Sequence, residues 1–129
     1  LLAVPGASAY FLGGGVVYTR RARHRLIGIT REEVAGIRSA SEPYAALLAD
    51  TARSRFRVDW GLSETGAAGP TGNPYGDAAG HTCLAVAGPD GTTATTLETG
   101  ASDRRANMEA FALAALDALH ERLVAAGGA

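Results

Sequence analysis

The chain has 129 residues and a mass of 13.2 kDa, with a formal net charge of -1, 47% hydrophobic residues and 19% charged ones. That is enough chain for one domain with its own core, and it lacks the overall basic excess of a nucleic-acid binder. Every lysine-or-arginine position is arginine, and the single cysteine, Cys83, excludes an internal disulfide.

A lone cysteine fits a reducing, cytoplasmic setting. No apolar run approaches the ~20 residues of a membrane span, and no secretory signal is expected. The chain opens at Leu1, and "LLAVPG" reads as the tail of an earlier helix entering a turn, so a preceding segment is expected.

Val4-Pro5-Gly6 is a turn signal. From Ala9 to Thr19 the residues favour β structure around three glycines, which predicts a strand over 14–19. Leu26 to Ile29 form a short apolar anchor. Thr30 with Glu33 is a capping box and predicts a short helix. Ser39 with Glu42 repeats the device and predicts a longer helix to about Phe56, with Tyr44, Leu47, Leu48 and Ala52 on one face. A strand is expected over 58–65. Residues 66–80 have no periodicity, and a connection of that length favours a functional loop. Residues 81–87 read as a strand, Pro89-Asp90-Gly91 as a hairpin turn, and the threonine-rich run after it as the partner strand. Ser102 is expected to cap a final helix with Met108, Phe111, Ala115, Leu119 and Leu123 on its apolar stripe. The order β, α, α, β, β, β, α predicts a single α/β domain with helices packed on a mixed sheet.

Three groups of residues have chemistry to offer. The small residues from Thr65 to Gly72 could let backbone N–H groups cradle an anion or a carbonyl oxygen, or form a plain surface turn; no lysine follows, so this is not a Walker loop. Ser8, Tyr18 and Arg23 could form a nucleophile, a proton relay and a positive charge. They could equally be a turn residue, a packed ring and part of a solvated face with Arg20, Arg21 and Arg25. His81 and Cys83 point to the same side of a strand, but no second ligand pair accompanies them, so a core role is expected and no metal site. His24 and His120 read as surface residues. Arg104, in the first turn of the last helix, opposes the helix dipole, which calls for a nearby anion or for Glu64 as a partner.

The segments "VPGASAYFLGGGVVYT", "LIGI", "SASEP", "SETGAAGPTG" and "GASDR", taken together in that order and spacing, resemble the C-terminal domain of the CinA family, which includes the nicotinamide-nucleotide amidases. The family's usual forms are close to VPGSSAYF-GGVVSYSNEAK, LGV, GAVSEE, STTGIAGPGG and GDR. The resemblance covers nearly the whole chain and implies a three-layer α/β/α domain over residues 1–129. It implies hydrolysis of the carboxamide of nicotinamide mononucleotide to nicotinic acid mononucleotide and ammonia. It places the catalytic positions at Ser8, Tyr18 and Arg23, and substrate-binding positions at Thr65, Gly66, Gly69 and Arg104. It implies no cofactor, no metal, no nucleic acid and no membrane, and a homo-oligomer acting on a small nucleotide. The family lysine is arginine at Arg23, and the family's ESCTGG segment, with its strand and helix, is expected ahead of Leu1. His81 stands where the family has a small aliphatic residue. A non-catalytic relative that binds a nucleotide-like ligand or a protein partner is the other function open to such a sequence.

Overall fold

The computed structural model describes residues 1–127. A 3-10 turn at Ala7–Ala9 leads through an extended stretch to helix α1 (Arg20–Ile27) and helix α2 (Glu42–Phe56). Three strands follow, β1 (Gly61–Ala67), β2 (His81–Gly88) and β3 (Gly91–Glu98), and then helix α3 (Arg104–Ala125). The sheet has the order β1-β2-β3. Both pairings are antiparallel, with Thr65 opposite Cys83 and Cys83 opposite Thr96, so no parallel pair of the expected mixed sheet occurs among the described residues.

β2 is buried at all eight positions because both of its faces are covered. On one face Cys83, Ala85 and Ala87 meet Ala45 and Ala49 of α2. On the other face Arg122 of α3 donates to the Val86 carbonyl (3.2 Å) and to Thr93 (2.7 Å). This is helix, sheet, helix, the layered α/β arrangement the sequence predicts. Alanines on α2 and β2 let helix and sheet approach closely. Gly61 completes that contact, since a Cβ there would lie 2.2 Å from the Ala49 carbonyl. A second cluster of Ile29, Tyr44 and Leu48 anchors α1 and the 29–37 turn to the far side of α2.

Several local expectations shift. Residues 14–19 lie extended but pair with no strand, and Val16 and Tyr18 are both 81% exposed. The arginine run instead forms α1, with the Thr19 hydroxyl accepting from the Ala22 amide at 3.1 Å. The Thr30–Glu33 box forms, with N–H to carboxylate at 2.8 Å and N–H to hydroxyl at 3.3 Å, yet only turns follow it. Gly36, at φ +75°, ends the run before a helix can propagate. α2 is capped by Ser41 rather than Ser39, and α3 by Asp103 rather than Ser102. On α3, Asn107 rather than Met108 is buried beside Phe111 and Ala115.

Candidate functional site

Ser8 sits in the 3-10 turn and is exposed, as is Tyr18 at the end of the extended stretch. Arg23 is different. It is 8% exposed, so it is not part of a solvated face. Its Nη1 donates weakly to the Tyr44 hydroxyl (3.5 Å), its guanidinium lies 5.7 Å from the Tyr44 ring centroid, and its Nε is buried without a partner. Arg23 lines a cleft of about 1100 Å³ between α1 and the 29–39 turn, with Tyr75 at its rim.

The 66–80 loop is pinned from three directions. Arg38 grips Asp77 through two bonds of 2.6 and 3.1 Å. Asn73 folds the tip by accepting from the amides of Tyr75 and Asp77, at 3.0 and 3.1 Å. Asn73 also donates its side-chain amide to Asp77 Oδ2 (2.8 Å), and the bonds from Arg38, the main cause, and from this amide hold the Asp77 carboxyl below its ordinary range. At the other end Arg104 donates to the Gly69 carbonyl (2.8 Å), and Asn107 donates to the Ala68 and Ala101 carbonyls (both 2.8 Å). The reason for a cation at the start of α3 is therefore a loop carbonyl. Glu64 does not pair with Arg104; its carboxylate accepts from the Thr82 hydroxyl. The glycines serve the protein's own contacts. A Cβ on Gly66 would lie 2.4 Å from the His81 carbonyl, and one on Gly72 would lie 2.0 Å from that of Asp77.

Between the loop and α2 lies the buried His81. Its Nδ1 is 2.5 Å from Glu98 Oε1 and its Nε2 is 2.8 Å from the Ala40 carbonyl, with Asp77 Oδ2 at 3.5 Å. Burial lowers the His81 pKa, but the bonds to Glu98 and Ala40 and the charge of Asp77 outweigh it, and the net shift is upward from 6.5. Cys83 lies 3.7 Å from the ring, its thiol pushed up by burial. Thr65 joins this cluster, its hydroxyl accepting from the Ala40 amide at 3.2 Å. Among the described residues no group of three or more His, Cys, Asp or Glu side chains could hold a metal ion.

The structure thus joins Arg104 to Gly69 directly and gathers Thr65 with His81 and Ala40. It leaves Ser8 and Tyr18 without a hydrogen bond to either group, and neither lines the cleft that holds Arg23. Sequence reasoning missed Arg38, Asp77 and Asn107. The Asn73-to-Asp77 run of turn formers is a visible Asx-turn signal; nothing in the sequence pairs Asp77 with an arginine 39 positions earlier.

An antiparallel sheet sandwiched by α2 and α3, edged by an arginine-lined cleft and a pinned glycine-rich loop, defines a layered α/β domain with a surface cleft. The C-terminal domain model of CinA matches residues 1–123. The chain belongs to the CinA C-terminal domain family. It is 36% identical over 126 residues to a CinA-like protein of Synechococcus sp. (strain CC9902), covering 97% of this chain and 30% of that protein. It is 45% identical over 94 residues to a CinA-like protein of Anaeromyxobacter sp. (strain K), covering 73% of this chain and 23% of that one. The chain thus spans about a third or less of the curated relatives it matches. The crystal structure of a competence-damaged protein (CinA) superfamily protein from Escherichia coli superposes with a TM-score of 0.86 at 23% identity, covering 95% of this chain and 70% of that one, a likeness of fold. The competence or damage-inducible protein from Enterobacter asburiae superposes at 0.81 with 27% identity, covering 96% of this chain and 76% of that one.

Proposed function

We propose that the chain is an amidohydrolase domain of the nicotinamide-nucleotide amidase type. The observation that carries this reading is the family match over residues 1–123, a range that includes Ser8, Tyr18, Arg23 and the 65–72 loop. In it, Ser8 Oγ attacks the carboxamide carbon of nicotinamide mononucleotide and Tyr18 passes its proton to the departing ammonia. Water then releases the acid and restores the serine. Backbone N–H groups of Gly66 to Gly69 face the oxyanion or the substrate phosphate, Thr65 lies at the start of that loop, and Arg104 holds the loop in place. The protein works in the cytoplasm as a homo-oligomer. No helix among the described residues is long and apolar enough to cross a membrane.

A second reading has its own support. Arginine cannot take up a proton as a general base, and among the described residues neither Ser8 nor Tyr18 has a basic group bonded to it. A non-catalytic relative that retains a ligand cleft fits those facts. Ammonia release from nicotinamide mononucleotide by the full-length protein, with Ser8→Ala as control, separates the two. Release that Ser8→Ala abolishes supports the amidase. Absence of release, or release unchanged in Ser8→Ala, overturns it.

A further inference from the structure

The net charge is -1, yet the cleft beside α1 collects Arg20, Arg21, Arg23 and Arg31. None of the four is in an ion pair among the described residues, whereas Arg38, on the same cleft, is engaged by Asp77. Glu32 is the one carboxylate on the lining. This arrangement is unfavourable three times over. Arg20 and Arg21 occupy the first turn of α1, where no acidic residue is present and the helix dipole repels cations. The four guanidinium groups repel one another. Arg23 carries a full charge at 8% exposure, with one long hydroxyl bond, a tyrosine ring and an orphaned Nε. Arg20, Arg21 and Arg31 are exposed, so water screens part of their repulsion, and Tyr44 offsets part of the cost at Arg23; an anion in the cleft would offset the remainder.

The anion's class follows from charge and shape. Four guanidinium groups against Glu32 leave three positive charges, the match for a diphosphate monoester at about -3 and not for a monophosphate at about -2. Guanidinium forks suit phosphate oxygens bidentately. At about 1100 Å³ the cleft exceeds what a bare diphosphate fills. The rest of its wall has two half-buried apolar side chains (Val34, Ile37) and the Tyr75 ring, over which Arg38 lies at 5.4 Å from the centroid. These surfaces suit a planar organic body. We infer that this cleft binds a nucleoside diphosphate or a similar diphosphate monoester, with Arg20, Arg21 and Arg31 on the diphosphate and the buried charge of Arg23 behind it. This site shares only Arg23 with the amidase reading and does not depend on it.

Isothermal titration of the protein with ADP, AMP, pyrophosphate and orthophosphate at one fixed ionic strength tests this. ADP is expected to bind at least ~10-fold more tightly than AMP, and pyrophosphate more tightly than orthophosphate, since each guanidinium–phosphate bond is a charge-assisted one. The double variant Arg20→Gln/Arg21→Gln, and separately Arg31→Gln, should weaken ADP by at least ~10-fold, while Arg105→Gln on α3 leaves it unchanged; circular dichroism confirms that each variant is folded. Equal affinity for AMP and ADP, or unaltered ADP binding in the double variant, would overturn the inference. So would a short single-stranded oligonucleotide that displaces ADP and binds more tightly than it does. Absence of ammonia release from the wild-type protein with ADP binding present would count against the amidase reading alone, and ammonia release with no ADP binding against the diphosphate site alone.

Discussion

Raising the pH through the neutral range should loosen the fold, and His81 sets the size of the effect. Both ring nitrogens face acceptors, Glu98 Oε1 at 2.5 Å and the Ala40 carbonyl at 2.8 Å. A neutral imidazole has one N–H and can donate to only one of them; the imidazolium donates to both. The folded pKa is raised above 6.5, so the stabilisation is fully present below pH 6.5 and is lost as the pH climbs through the folded value. Deprotonation forfeits one hydrogen bond to a charged group, worth ~1.5–3 kcal/mol when buried. Glu98 is 57% exposed, and water recovers part of that loss. The expected fall is therefore about 1–2 kcal/mol between pH 6 and pH 8.5. The assay is urea unfolding at half-unit pH steps, with the imidazole C–H resonances followed by NMR. Asp77, whose carboxyl is held low, titrates on the acid side of this window, and the Cys83 thiol, pushed above 9.0, titrates beyond it. His81→Gln should be less stable by about 1–3 kcal/mol at pH 6, because the buried Ala40 carbonyl and the half-exposed Glu98 carboxylate lose the imidazolium that donates to both, and its profile should be flat across the window. A wild-type profile that is flat or rises with pH, or a His81→Gln profile with the same slope as wild type, would refute the reasoning.

Three further outcomes can be measured. Arg23→Lys should raise ammonia release from nicotinamide mononucleotide by at least ~10-fold, the low end of what a general base contributes; equal, high rates in both would show that proton uptake at this position is immaterial. Arg104→Ala removes the bond to the Gly69 carbonyl and should cost about 1–2 kcal/mol, with hydrogen exchange accelerating at residues 66–72 and unchanged on β3. Gly66→Ala places a Cβ 2.4 Å from the His81 carbonyl, so β1 and β2 must part and stability should drop by about 1–3 kcal/mol; a neutral substitution would mean that the two strands pack less closely than described.

The elements legible in the sequence are those whose signals are local and agree with their burial. The hairpin β2–β3 announces itself by the turn formers Pro89-Asp90-Gly91 between β-forming runs; in the structure Gly91 already pairs with Gly88, which leaves Pro89 and Asp90 as the loop. α2 has a serine cap, a proline in its first turn and an apolar face, and it forms to Phe56. Residues 14–19 carry strand propensity of the same quality, but a strand is completed by a neighbour's hydrogen bonds, and no described segment lies alongside. The capping box at Thr30 shows the same limit for helices. The box forms, but six residues ending in a left-handed glycine cannot meet the cost of helix nucleation.

The functional positions divide along the same line. The resemblance implies that Arg23 occupies a lysine's place, but it does not imply that the side chain is buried, because burial depends on Tyr44 arriving from a helix 21 residues later. Once that packing is known, the substitution reads differently. A lysine buried so deeply would be driven toward its neutral form and become a base; an arginine in the same place keeps its charge and becomes a fixed source of positive potential. The neighbouring residues point the same way, since Arg20 and Arg21 add two more cations in the first turn of α1, where no acidic residue is present. Two cations beside a buried, unpaired guanidinium are an unfavourable arrangement in an empty cleft. It is intelligible for a cleft that is filled by an anion, and the titration with ADP and the ammonia assay of Arg23→Lys ask the two halves of that question separately.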